Sequence, residues 1–102
     1  MKIIIAGAGE VGAYIAHMLA TEEQDTYLID NNKKRLDKAQ QHNDIIGIEG
    51  DATSVAVLIE TGVKSCDLLI AATSSEETNL LVCIIGKKLG AKRTISRISN
   101  FE

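Results

Sequence analysis

The hexapeptide Gly7-Ala8-Gly9-Glu10-Val11-Gly12 fits the pattern Gly-x-Gly-x-x-Gly, and its neighbours decide what chemistry it can serve. Before it runs Lys2-Ile3-Ile4-Ile5-Ala6, a β-branched stretch suited to a strand buried on both faces; after it comes an amphipathic segment. In that setting Gly7 permits the tight turn. Gly9 lets the backbone approach a pyrophosphate with no Cβ in the way, and Gly12 lets the next helix pack closely on the strand. The helix start offers unpaired N–H groups and a partial positive charge to phosphate oxygens. Ala8, Glu10 and Val11, between the glycines, belong to the same cradle.

Further along the chain stand residues that complete a nucleotide site. Asp30 ends a second strand, about 20 residues past the glycines, where an acid accepts the ribose hydroxyls. Asn31 lies beside it, and either residue could instead cap the polar helix that follows. A pair of unit charges at ~4 Å interacts with about 4 kcal/mol at an effective dielectric near 20, so a 2′-phosphate beside Asp30 would be repelled on that scale. The sequence shows no well-placed arginine to relieve it, which disfavours NADP and favours NAD or NADH. Glu10 sets a carboxylate where a γ-phosphate would lie, which tilts the choice mildly toward NAD or NADH over ATP; ADP and AMP stay as further candidates. Gly50-Asp51 closes a third strand; Asp51 could accept from an adenine amino group with the backbone at Ala52 helping, or could cap a short helix. Thr73 and Ser74 end a fourth strand. Ser74-Ser75-Glu76-Glu77 has the form of a capping box, which leaves Thr73 as the better ligand contact.

Alternating elements must hold these residues. Strands are predicted at 2–6, 26–29, 45–48, 68–72 and 93–98. Helices are predicted through Val11, Tyr14, Ile15, Met18 and Leu19; over 32–42; through Val57, Leu58 and Ile59 with Thr53 or Ser54 as cap and Gly62 as stop; and over 76–89 with Gly90 as stop. Repeated β-α-β units with right-handed crossovers give an α/β fold, a Rossmann-like doubly wound parallel sheet of order 3-2-1-4-5 without its last strand. Ligands of such sheets sit where the strand order reverses, which is where the glycines, Asp30 and Thr73 converge. The chain breaks off after the fifth strand, and residues 1–102 are expected to be one domain of a longer protein.

Composition removes several classes. A length of 102 residues with 45% apolar content supports one core, and with only three aromatics (Tyr14, Tyr27, Phe101) that core is aliphatic. The net charge of −3, with Lys and Arg scattered, gives no basic stripe for a nucleic acid. Neither a membrane-spanning run nor a secretory signal is visible, so the chain is expected in the cytosol. Cys66 and Cys83 lack ligand spacing and are expected to be buried thiols. His17 and His42 fall in helices far from the carboxyl ends of the strands, so nothing is placed to move a proton and a non-enzyme is expected. The cofactor half of an NAD-dependent oxidoreductase is the alternative. Leu80-Leu81-Val82-Cys83-Ile84-Ile85 has no polar face, although one side of a sheet needs only a ~100° stripe. Helix 76–89 is therefore expected to meet a second subunit, or else a further part of the same chain.

The chain resembles the N-terminal nucleotide-binding (RCK, or KTN) domain of Trk-type potassium-uptake regulators. The likeness rests on Met1–Gly12, Asp30, Gly50-Asp51-Ala52-Thr53 and Ala72-Thr73-Ser74-Ser75-Glu76-Glu77-Thr78-Asn79, in that order. It implies a cytoplasmic homo-oligomeric ring beneath a membrane potassium transporter or channel, whose shape and ion flux respond to the nucleotide. It also implies adenine near Asp51 and ribose on Asp30. Some members of that family hold the γ-phosphate of ATP with an arginine where this chain has Glu10.

Overall fold

The computed structural model describes residues 1–41 and 43–98. In chain order these form β1 (Lys2–Ala6), α1 (Glu10–Thr21), β2 (Asp25–Asp30), α2 (Lys33–Gln40), β3 (Ile46–Glu49) and α3 (Val55–Thr61). A 3-10 turn (Val63–Ser65), β4 (Leu68–Ala71), α4 (Glu76–Leu89) and β5 (Arg93–Ser96) follow. All neighbouring strands are parallel, in the order β3-β2-β1-β4-β5, as the alternation of elements requires. The 3-10 turn was not anticipated, and β5 is two residues shorter than expected. The chain end beyond Ile98 and His42, expected inside a helix, lie outside the described residues.

Side chains alternate across β1, and the two faces of the sheet therefore carry separate aliphatic layers. Ile4 and Ala6 pack with Leu58 of α3 and Val82 and Cys83 of α4 on one face. Ile3 and Ile5 pack with Ala16 of α1 and Leu36 and Ala39 of α2 on the other. Burial on both faces is why β1 is an unbroken apolar run rather than an alternating one.

Helix α1 differs from expectation in the face it buries. It turns Gly12, Ala13, Ala16 and Ala20 with Ile15 and Leu19 toward the sheet, while Val11, Tyr14 and Met18 stand 36%, 64% and 48% exposed. Small residues let the helix axis approach the strands, so shape rather than hydrophobicity sets its rotation. Gly86 does the same for α4, since a Cβ there would lie 2.1 Å from Leu69 Cδ2. The other side of α4 presents Leu80, Leu81 and Ile84, all about half exposed.

Candidate functional site

The carboxyl ends of β1, β2, β3 and β4 open onto a cleft of about 600 Å³ where the strand order reverses. The glycine turn forms its floor. Gly7 (φ +108°) donates its N–H to Ile29 O at 2.8 Å, and a Cβ on it would lie 2.9 Å from Thr73 N. At Gly12 a Cβ would fall 1.7 Å from Gly7 O, so this glycine permits the helix-to-turn contact and does not line the cleft. Gly9 is different: its φ of −71° is open to any residue, and a Cβ there would meet nothing within 4 Å. Packing does not demand glycine at that position. Gly9 is also the N-cap of α1 and offers no side chain to cover the first N–H groups of the helix. Glu10 and Val11 of the first turn line the cleft as well; Ala8, buried behind the turn, does not.

Asp30 ties this turn to the next loop. Its carboxylate, almost fully buried, accepts the Ala8 N–H on Oδ2 at 2.7 Å and the Asn32 N–H on Oδ1 at 2.7 Å. Each oxygen keeps a second lone pair for a hydroxyl donor. Neither Asp30 nor Asn31 caps α2: Asn32 does, accepting from Arg35 N–H. Asn31 lines the cleft. Arg35 lines it too, with Nη1 4.0 Å from Asp30 Oδ2. This corrects the expectation that no base accompanies Asp30. Arg35 sits in the first turn of α2, and winding brings its side chain back over the end of β2.

On the far wall Asp51 does not cap α3 either; Ser54 does, through Val57 N–H. Asp51 Oδ1 instead accepts the Thr53 N–H at 2.8 Å and the Thr53 hydroxyl at 2.7 Å, and these two bonds hold its carboxyl below the usual range. It is thus an ionised, exposed acceptor at neutral pH beside Gly50 and Ala52 in the cleft.

The β4–α4 loop reverses an expectation. Ser75, not Ser74, caps α4, accepting from Thr78 N–H; the helix starts at Glu76 as expected, and no Glu occupies the reciprocal position of a capping box. Ser74 is left exposed on the cleft. Thr73 also lines it, but its hydroxyl is committed internally, 2.6 Å from Asn79 Oδ1 and accepting from Ser75 N–H. Asn79 itself, 1% exposed, was given no role of its own in the sequence. Its Oδ1 also accepts the Thr73 N–H, and its Nδ2 donates to Thr73 O and Arg97 O. A polar residue leading an otherwise apolar helical run was the available signal. Arg97, held by this network, lines the cleft and donates from Nη1 to Thr73 O at 3.3 Å.

The arrangement can hold an anionic, hydroxyl-bearing ligand. Among the described residues no group of His, Cys, Asp and Glu is placed to bind a metal ion. His17 pairs with Asn43 on the outer side of α1, and Cys66 and Cys83 are buried free thiols whose pKa burial pushes up. Among the same residues, no helix is long and apolar enough to cross a membrane.

Comparison with known proteins agrees with this architecture. The TrkA-N domain model matches residues 3–102. The "Trk system potassium uptake protein TrkA" of Haemophilus influenzae is 40% identical over 103 residues, and its homologue in Archaeoglobus fulgidus is 39% identical over 102. This chain is covered completely in both matches but spans only 22% and 23% of those proteins. In the crystal structure of the TrkA-N domain of the Escherichia coli inner membrane protein ybaL, the same fold recurs at a TM-score of 0.68 and 13% identity, covering 93% of this chain and 86% of that one. On the family match over nearly its whole length, the chain belongs to the TrkA-N domain family.

Proposed function

We propose that this chain is a regulatory nucleotide-binding domain with no catalysis of its own, acting within a longer regulator of potassium uptake. The observation that carries the reading is Gly9: it caps α1, needs no glycine for packing or conformation, and leaves open the space in front of an uncovered helix N-terminus. A pyrophosphate in that space would receive the N–H groups of the turn. The ribose would lie toward Asp30 and Asn31, and the adenine toward Asp51 and Ala52, with Ser74 and Thr73 on the opposite lip. NAD or NADH is the proposed ligand, with ATP, ADP or AMP behind it; ATP is disfavoured because Glu10 offers its third phosphate no positive partner in the turn.

The names of the related proteins refer to potassium uptake, which supports a membrane potassium transporter or channel as the proposed partner, met on its cytoplasmic side. The half-exposed Leu80, Leu81 and Ile84 of α4 support assembly into a homo-oligomer through that helix. Calorimetric titration of the purified domain with NAD, NADH, ATP, ADP and AMP tests the ligand. Saturable binding led by NAD or NADH is expected, and heat of dilution alone with all five would refute the reading.

A further inference from the structure

We propose that Arg35 is a specificity-determining residue of the cleft: it offsets the charge of Asp30 and admits a phosphate on the 2′-oxygen of the adenine ribose. This rests on the nucleotide reading above, and it changes which dinucleotides that reading allows.

Asp30 and Arg35 differ in how far each is available to a ligand. The Asp30 side chain is 7% exposed, and both its oxygens already accept a backbone N–H, at 2.7 Å each. Two N–H dipoles and a guanidinium therefore surround that charge before any ligand arrives. The Arg35 side chain is 58% exposed and lines the same cleft. Its backbone is anchored, since its N–H donates to the Asn32 cap, while its exposed side chain reaches the cleft. At 4.0 Å the pair with Asp30 is longer than a hydrogen bond, so the planar fork of N–H donors is not spent on the acid. Among the described residues Asp30 is the one acid within salt-bridge range of it.

A guanidinium presents parallel donors that match two phosphate oxygens, which an ammonium cannot do with the same geometry. A 2′-phosphate entering beside Asp30 would thus meet Arg35 from the solvent side. An acid without such a partner would reject NADP; the pair accepts it.

The test uses two ligand pairs that differ only by the 2′-phosphate: AMP with adenosine 2′,5′-bisphosphate, and NAD with NADP. The parent is expected to bind the members of each pair within about tenfold of one another. Arg35→Ala should weaken the 2′-phosphorylated member of each pair by about tenfold or more beyond any change in AMP or NAD. Arg35→Lys should restore part of that loss, since it keeps the charge without the fork. Equal weakening of both members would mark Arg35 as a general electrostatic or structural residue and overturn the proposal. So would no change in either, or a parent that rejects NADP by about a hundredfold or more. A parent that binds neither AMP nor NAD would instead overturn the nucleotide reading on which the proposal rests.

Discussion

Gly9 and Gly12 belong to one short motif, yet the structure assigns them opposite duties, and substitution separates the two. At Gly9 the backbone (φ −71°, ψ −166°) is extended and suits a β-branched residue, and a new Cβ would touch nothing within 4 Å. Replacing a glycine N-cap with an apolar residue costs roughly 1 kcal/mol. Lower entropy of the unfolded chain returns about 0.4–1 kcal/mol. Gly9→Val should therefore alter stability by no more than about 1 kcal/mol, a Tm shift within roughly 4–8 °C for a domain of this size. Its isopropyl group would occupy the space in which a phosphate oxygen must come within about 3 Å of the turn N–H groups. Binding should fall by about a hundredfold or more, or ~2.7 kcal/mol. At Gly12 the balance inverts. An alanine Cβ 1.7 Å from Gly7 O lies far inside any nonbonded contact, and its neighbours are backbone. The turn must move, at a cost of about 3 kcal/mol or more. Thermal unfolding followed by circular dichroism, with calorimetric titration of NAD alongside, distinguishes the two variants. Native affinity in Gly9→Val would show that the glycine turn is not the phosphate site. A parent-like Tm in Gly12→Ala would show that the close approach of α1 to the turn is not required.

Three further outcomes follow from α4. Leu81 is 46% exposed and Val82 is fully buried, so Leu81→Glu should convert a parent that is dimeric or larger at micromolar concentration into a folded monomer that still binds nucleotide. Val82→Glu should instead destabilise the fold by several kcal/mol, because it places an unpaired charge in the layer with Leu69 and Leu58. Light scattering reads the first effect and urea unfolding the second; a parent that is monomeric throughout would refute the interface. Asn79→Leu removes the acceptor oxygen and the two N–H donors whose four bonds hold the Thr73 loop and the backbone just after β5. It should cost about 3 kcal/mol, since buried backbone groups are left unpaired, and should also weaken nucleotide binding through displacement of Ser74 and Arg97. An unchanged urea midpoint would mean that the network carries no stability.

Much of the molecule is decided within a few residues of chain. The apolar run of β1, the glycines at 7, 9 and 12, the 76–89 bounds of α4 and the glycine stops at 62 and 90 all follow from local sterics. Both stops adopt positive φ, +86° and +121°, where a Cβ would be strained. The parallel order of the strands follows as well, because crossovers of this length have one hand. Asp30 and Asp51 were legible as cleft residues through their place at strand ends.

Other features depend on where elements come to rest against one another. The choice of cap is one of them: Ser75 replaces Ser74 before α4, and Asn32 replaces Asp30 or Asn31 before α2, which begins one residue later than expected. That phase is set by how far each loop must travel to seat the helix on the sheet. The rotation of α1 was decided by close packing, which favoured its small side and turned Tyr14 outward. The pairing of Arg35 with Asp30, and the bonds that join Asn79 to Thr73 and Arg97, span different elements and have no local signature. The sequence by itself determined the sheet, the glycine turn and the place of the two acids. Only the tertiary structure decided which hydroxyl, amide and guanidinium groups stay free to meet a ligand, because a polar group is available only if no neighbour in the fold has already taken its hydrogen bonds.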